Sequence, residues 1–114
     1  LNTYGVTECT VYQAVAELVK GDSPRVLGDP MPGGTALFLA AGDGSDPARR
    51  VEVGSGANGE LWISGPQVGL GYLRRPDLTT ARFFEAALVD DTSTASQRRC
   101  FRTGDIATAS PSGW

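Results

Sequence analysis

The residues Asn2-Thr3-Tyr4-Gly5-Val6-Thr7-Glu8 place an aromatic ring, a hydroxyl and a carboxylate close together near the N-terminus. A tyrosine beside a glycine can lay its ring against a flat ligand while the backbone approaches closely. The threonine offers a hydroxyl and an amide to an anion, and the glutamate offers the hard oxygen that Mg²⁺ prefers. An aromatic ring, a hydroxyl and a carboxylate so close together fit a site for a nucleotide and its metal ion. On chemistry alone, an ordinary strand and turn with a surface glutamate is the more common case.

The chain contains no histidine, so Ser-His-Asp catalysis, Cys-His catalysis and histidine-bound metals are excluded within it. Any catalysis here must use carboxylates, hydroxyls, backbone amides or a bound metal. Cys9 and Cys100 are far apart in the sequence and form no zinc-site pattern. We favour two reduced cytosolic thiols packed as small apolar groups. A single disulfide is the alternative.

The charge pattern argues against several classes of partner. The net charge is −3, and the arginine pairs Arg49-Arg50, Arg74-Arg75 and Arg98-Arg99 alternate with acids, so no basic stripe for nucleic acid forms. No apolar run approaches the ~20 residues that span a bilayer, and no signal-peptide pattern is present. We therefore expect a cytoplasmic protein without nucleic-acid or membrane partners. The missing initiating methionine predicts a fragment of a longer chain.

Fifteen glycines and seven prolines in 114 residues favour turns and short strands over long helices. Residues 10–19 fit either a helical stripe or a strand, and the β-branched residues at their start favour a strand. Residues 35–40 form a predicted buried strand, and residues 42–47 a polar hairpin tip. Asn58-Gly59 is a tight-turn signal before a strand over residues 60–64.

The last third of the chain carries one helix signal. Pro76, followed by Asp77 and Thr79, predicts a short helix that ends at Phe83-Phe84. Residues 89–97 are predicted to form an exposed polar loop. Two strands, 100–103 and 106–109, would flank a turn at Gly104-Asp105. The chain is therefore expected to be a β-rich α+β unit with one short helix, as a small distorted β-barrel or irregular sandwich.

Three motifs occur in an order that resembles a known family. Tyr4-Gly5-Val6-Thr7-Glu8 resembles the Tyr-Gly-x-Thr-Glu motif of the adenylate-forming superfamily. Residues 59–73 (GELWISGPQVGLGYL) resemble its Gly-Glu-Leu strand and glycine-rich segment, and Phe101-Arg102-Thr103-Gly104-Asp105-Ile106 resembles its Thr-Gly-Asp motif. Asn2 and Thr10-Val11 make the chain most like the adenylation domains of nonribosomal peptide synthetases. Acyl-CoA synthetases are the alternative.

The resemblance implies roles for individual residues of an ATP site. Tyr4, next to Gly5, would stack on adenine, and Thr7 would contact the α-phosphate. Glu8 would bind Mg²⁺, and the Asp105 carboxylate would accept hydrogen bonds from the ribose hydroxyls. ATP and Mg²⁺ are thus the expected cofactors.

The same resemblance assigns Thr3, Val11 and Tyr12 to the pocket for the carboxylate substrate. Such pockets vary between members, so this assignment is weaker than that of the ATP site. The glycine-rich residues 59–73 are expected to be structural. No catalytic residue is expected within the chain.

Two departures from the family pattern are visible. Val6 stands where many peptide-synthetase domains have proline, and Gly69-Leu70 replaces a frequent Ala-Arg. The family's phosphate-binding loop and its C-terminal lid with the catalytic lysine are expected outside residues 1–114. These residues would then be the C-terminal part of the large N-terminal subdomain of an AMP-binding domain.

The resemblance implies a ligase that activates a carboxylate, an amino acid by preference, as an acyl-adenylate and passes it to a carrier-protein thiol or CoA. We expect the 114 residues alone to be inactive. A non-catalytic β-rich scaffold remnant is a further alternative. The retained Thr7, Glu8 and Asp105 argue against it, because a scaffold needs none of them.

Overall fold

The computed structural model describes residues 1–33, 35–40, 50–51, 56–89 and 95–111. Its elements follow the chain as eight strands and one helix. The strands are β1 Asn2–Tyr4, β2 Ala14–Ala16, β3 Asp29–Pro30, β4 Ala36–Ala40, β5 Arg50–Val51, β6 Asn58–Ser64, β7 Phe83–Val89 and β8 Ala95–Thr108. The helix α1 spans Pro76–Arg82, and a 3₁₀ turn spans Thr7–Cys9. The expected β-rich α+β class with one short helix is confirmed.

Two antiparallel sheets organise these strands. The first has the order β1-β2-β3, and the second has the order β5-β4-β6-β8-β7. Side chains from both sheets and from the turns between them form the main apolar core, which includes Leu61, Ile63 and Phe101, and a smaller cluster surrounds Trp62. Burial of these side chains supplies the main driving force for folding.

The strand predicted over residues 10–19 is largely wrong. Only Ala14–Ala16 forms a strand, and Thr10 and Val11 have φ of 62° and 71°. Left-handed backbone at two successive residues fits neither a strand nor a helix. It reverses the chain between the 3₁₀ turn and β2, which returns antiparallel to β1.

Other boundaries also differ from the predictions. Asn58-Gly59 does not form a tight turn but opens β6, where Gly59 is buried. Phe83 does not end the helix; it opens β7, because pairing with Phe101 buries its ring in the core. The loop predicted over residues 89–97 is instead strand at both ends, with Val89 paired to Ala95. Residues 90–94 lie outside the described residues.

The strand predicted at residues 35–40 is confirmed as β4. The hairpin tip predicted at residues 42–47 lies outside the described residues. The two strands and turn predicted at residues 100–109 are one strand, β8, with an irregularity in the middle. Within the described part of the chain, no helix combines the length and the apolar character needed to cross a membrane.

Candidate functional site

A bulge in β8 presents Asp105 at the surface. Glu60 pairs with Ile106 while Trp62 pairs with Arg102, so residues 103–105 of β8 lie opposite Leu61 alone. Gly104 within the bulge has φ of +83°, which glycine adopts without strain. Bulges often redirect a side chain beside a binding site, and this one frees Asp105 from the regular strand alternation.

Hydrogen bonds brace the bulge from β6. The Thr103 hydroxyl donates to the Leu61 carbonyl at 2.7 Å and accepts from the Asp105 amide at 3.0 Å. The Glu60 carboxylate accepts from the Gly104 amide at 3.2 Å and pairs with Arg102 at 2.8 Å. Burial opposes ionisation of Glu60, but the bonds from Arg102 and Gly104 outweigh it and lower the pKa of the Glu60 carboxyl.

Tyr4 at the end of β1 reaches the bulge across the gap between the two sheets. Its hydroxyl donates a 2.6 Å hydrogen bond to Oδ2 of Asp105. Both residues line a cavity of about 430 Å³, whose wall also includes Arg25, Leu61 and Ile106. Burial and the bond to Asp105 both raise the pKa of the Tyr4 hydroxyl, which therefore stays protonated as a donor.

Thr7 and Glu8 lie in the 3₁₀ turn directly after Tyr4-Gly5-Val6. They line a second cavity, of about 440 Å³, together with Gly69, Gly71, Tyr72 and Phe83. The hydroxyl of Tyr72 donates a 2.6 Å hydrogen bond to Oε1 of Glu8. This bond raises the pKa of Tyr72. The predicted site residues are thus divided between two cavities, with Tyr4 and Asp105 at one and Thr7 and Glu8 at the other.

Gln13 holds the motif loop and was missed by the sequence analysis. Its side chain is fully buried, accepts from the Val6 amide at 2.7 Å and donates to the Cys9 carbonyl. The backbone amide of Gln13 donates to the Tyr4 carbonyl at 2.8 Å. Gln13 therefore fixes the backbone on both sides of Thr7-Glu8. The sequence offers no signal for this role, because no periodicity marks an amide that bonds to a loop.

Gly5 is required by close backbone packing. A Cβ built at this residue would lie 1.7 Å from the Val11 carbonyl oxygen and 2.6 Å from the Tyr12 Cα. Any side chain here would push the motif loop away from the reversal at Thr10 and Val11. The role of Gly5 in this structure is thus to bring two backbone segments together.

The glycine-rich segment supports the same turn from the other side. The Gly69 amide donates to the Glu8 carbonyl at 2.8 Å, and the Gln67 carbonyl accepts from the Thr10 hydroxyl at 3.0 Å. Arg99 of β8 donates to the Gly69 carbonyl at 3.0 Å and stacks over the ring of Phe83. These contacts agree with the structural role expected for residues 59–73.

The three residues predicted for a substrate pocket are exposed. Thr3 lies in β1 and pairs with Val15, and strand alternation puts it on the face opposite to Tyr4. Val11 is 56% exposed and Tyr12 is 55% exposed. Neither of the two cavities described above includes any of them in its wall.

Cys9 and Cys100 are both buried as thiols, in agreement with the favoured interpretation. Cys9 belongs to the main core, and Cys100 to a smaller cluster around Trp62. Burial, with a smaller contribution from the charge of Glu8, raises the pKa of Cys9 to about 12. Such a thiol is not a nucleophile near neutral pH.

The donor chemistry of the second cavity fits a magnesium ion carried by a nucleotide. Among the described residues there is no cluster of three or more metal-binding side chains, so a cation held by protein alone is not supported. Mg²⁺ bound with phosphates needs only one or two carboxylates from the protein. Glu8 could provide one, and the Thr7 hydroxyl beside it could contact a phosphate.

Comparison with known proteins gives a consistent set of relatives. The chain is 39% identical over 111 residues to nonribosomal peptide synthetase 7 of Aspergillus fumigatus, covering 97% of this chain. It is 39% identical over 114 residues to N-(5-amino-5-carboxypentanoyl)-L-cysteinyl-D-valine synthase of Amycolatopsis lactamdurans. The chain spans 4% and 3% of the lengths of these two proteins. No protein-family model matches the chain.

A solved structure agrees with these relatives. The N-terminal subdomain of Klebsiella oxytoca NpsA, in complex with 3-hydroxyanthranilyl-AMSN, superposes with a TM-score of 0.75 at 26% identity. The match covers 98% of this chain and 25% of the NpsA chain. The fold described above is therefore a part of a larger known architecture.

Proposed function

Since this chain belongs to the adenylate-forming enzymes and is similar to the adenylation regions of nonribosomal peptide synthetases, we propose that it provides part of their ATP site. The parent ligase would activate a carboxylate, an amino acid by preference, as an acyl-adenylate. The observation that supports this most strongly is the 2.6 Å contact between Tyr4 and Asp105 at one cavity. Residues 1–114 would form the C-terminal part of the large N-terminal subdomain.

The first cavity has the features of a nucleoside site. The ring of Tyr4 would stack on adenine, with Gly5 allowing the close backbone approach beside it. The carboxylate of Asp105 would accept hydrogen bonds from the ribose hydroxyls. Such bonds to a charged acceptor are about twice as strong as neutral ones. The hydrogen bonds that hold the bulge against β6 support this role, because they fix Asp105 before a ligand binds.

The second cavity would receive the phosphates and their cation. Thr7 would contact the α-phosphate, and Glu8 would hold Mg²⁺. When bound, Mg²⁺ supplies positive charge that stabilises the reacting phosphate oxygens. Positioning of the nucleotide by these residues lowers the entropy cost of bringing it against the carboxylate substrate.

The group transfer itself would need residues beyond this chain. The overall reaction would convert carboxylate and ATP to acyl-adenylate and pyrophosphate, and would then transfer the acyl group to a carrier-protein thiol with release of AMP. None of the described residues is assigned to proton transfer or covalent chemistry. We therefore propose that the 114 residues bind ATP weakly and do not turn over alone, which pyrophosphate exchange with a panel of amino and fatty acids would test.

The substrate side of the site is proposed at Thr3, Val11 and Tyr12. The exposure of Val11 and Tyr12 supports this, since a side chain that meets a substrate or another segment must be accessible here. The two buried thiols, Cys9 and Cys100, support a reducing compartment, and we propose the cytoplasm.

Equilibrium binding of ATP to the 114-residue chain tests the proposal. Isothermal titration calorimetry with Mg²⁺ should detect ATP binding to the wild type and a loss of about 10-fold or more in affinity for Asp105→Asn. Asp77→Asn is the matched control, because Asp77 is an exposed aspartate of α1 that pairs with Arg75, the residue before the helix. Equal ATP affinity of wild type and Asp105→Asn would remove the basis of the proposal.

A further inference from the structure

Near its end, the glycine-rich segment carries a tyrosine whose hydroxyl donates a hydrogen bond to the proposed metal ligand. Tyr72 and Glu8 are separated by 64 residues, and the Tyr72 Oη donates to Glu8 Oε1 at 2.6 Å. Both residues are partly buried, at the cavity that also contains Thr7. In the described part of the chain, the second oxygen of Glu8, Oε2, accepts no hydrogen bond.

Tyr72 is itself held firmly in place. Its amide donates to the Thr79 hydroxyl at 2.9 Å, and its ring packs edge to face on Phe83 with centroids 5.5 Å apart. Gly71 before it has φ of +144°, and a Cβ there would lie 2.4 Å from the Thr79 side chain. The tyrosine is therefore fixed by α1 and by the core before it meets Glu8.

A carboxylate that ligates a metal loses affinity when it can rotate freely, because its ligating orientation must then be selected on binding. A hydrogen bond to one oxygen removes that freedom and leaves the other oxygen for the cation. The phenol adds no charge, so it does not compete with Mg²⁺ for the carboxylate as an arginine or lysine would.

We propose that Tyr72 is a positioning residue: its hydroxyl holds Oε1 of Glu8 and keeps Oε2 available for the divalent cation that accompanies ATP. The inference rests on the proposed function of Glu8. It extends that function by giving the end of the glycine-rich segment a role in metal affinity in addition to its role in packing.

Two measurements on the 114-residue chain test the inference, with the variants Tyr72→Phe, Glu8→Gln, Glu8→Ala and the double variant Tyr72→Phe/Glu8→Ala. The first is a double-mutant cycle on the unfolding equilibrium constant without ligand, which should give a coupling of at least about 5-fold. The cycle uses Glu8→Ala because the amide oxygen of glutamine also accepts a hydrogen bond from a phenol. The second is the gain in ATP affinity caused by Mg²⁺, taken as the ratio of the dissociation constants in EDTA and in saturating Mg²⁺.

Tyr72→Phe should lower this Mg²⁺ gain by about 10-fold, the usual size of an effect on a group that orients a metal ligand. Its ATP affinity in EDTA should stay within about twofold of the wild type. Glu8→Gln should abolish the gain. Thr80→Val, which removes an exposed hydroxyl of α1, is the control and should match the wild type. A residue with a purely structural role would lower both affinities together.

The other outcomes would separate an error in the positioning role of Tyr72 from an error in the proposed function. If Tyr72→Phe keeps the Mg²⁺ gain while Glu8→Gln loses it, the positioning role is wrong and the proposed function stands. If Glu8→Gln also keeps the gain, or if the cycle gives no coupling, the contact does not serve a metal ligand. If the wild type binds no ATP with or without Mg²⁺, the proposed function fails, and the inference fails with it.

Discussion

The hydroxyl of Tyr4 lies 2.6 Å from Oδ2 of Asp105, although 101 residues separate the two in the chain. Tyr4 ends a strand of the small sheet, and Asp105 lies in a bulge of the large sheet. Their contact thus ties the two sheets at one cavity. Under the proposed function, a base that stacks on Tyr4 would place its ribose hydroxyls beside the Asp105 carboxylate.

Gly5→Ala should destabilise the chain by about 2 kcal/mol or more, because the new methyl would overlap the Val11 carbonyl and force the motif loop apart. Gly21→Ala is the matched control. A Cβ there meets nothing within 4 Å, and only its φ of +107° carries a cost, of about 1 kcal/mol. Urea unfolding measures both. A Gly5→Ala variant no less stable than Gly21→Ala would show that the loop is not packed as described.

Gln13→Ala should cost about 2–4 kcal/mol in the free energy of unfolding, since it leaves the partly buried Val6 amide and the buried Cys9 carbonyl without their partner. It should also weaken ATP binding, because Thr7 and Glu8 lie between these two backbone groups. Gln97→Ala, at an exposed residue of β8, should change neither quantity. Chemical denaturation and calorimetry report the two effects separately. Wild-type stability and wild-type ATP affinity of Gln13→Ala would show that Gln13 does not hold the motif loop in place.

The stability of the chain should fall at alkaline pH because of Cys9. The folded state raises the pKa of its thiol from the ordinary 9.0 to about 12, so the unfolded chain releases the proton first. The stabilisation is complete below about pH 9 and is lost as the pH rises towards 12, by about 1 kcal/mol between pH 9 and pH 10.

Unfolding free energies of wild type and Cys9→Ala at the two pH values check this prediction. The variant should lack that part of the pH dependence, because alanine has no proton to release. An identical slope in both proteins would mean that the Cys9 thiol ionises equally easily in the folded and unfolded chain.

The sequence predicted the parts of the site that depend on residue type. Residue type and motif select Tyr4, Thr7, Glu8 and Asp105 as candidates, and the structure puts two of them at each of two cavities, while their role in binding stays a prediction. Their motifs consist of short local runs, whose spacing can be read directly. The strand β4 and the start of the helix at Pro76 were predicted for the same reason.

The missed features all depend on contacts that form only in the folded chain. The bulge at Asp105 arises because three residues of β8 oppose one of β6, and no local pattern encodes that count. The left-handed backbone at Thr10 and Val11 is imposed by tertiary packing against Gly5, which overrides the strand preference of β-branched residues. Gln13 and Tyr72 act through partners that only the fold brings to them.

We propose that Asp105 recognises the ribose hydroxyls of ATP in the cavity it shares with Tyr4. The most direct test compares the affinities for ATP and 2′,3′-dideoxy-ATP in wild type, Asp105→Asn and the control Asp77→Asn. The wild type and the control should prefer ATP by about 10-fold or more, and Asp105→Asn should lose most of this preference. A wild type that binds both nucleotides equally, or an Asp105→Asn variant that keeps the full preference, would contradict the claim.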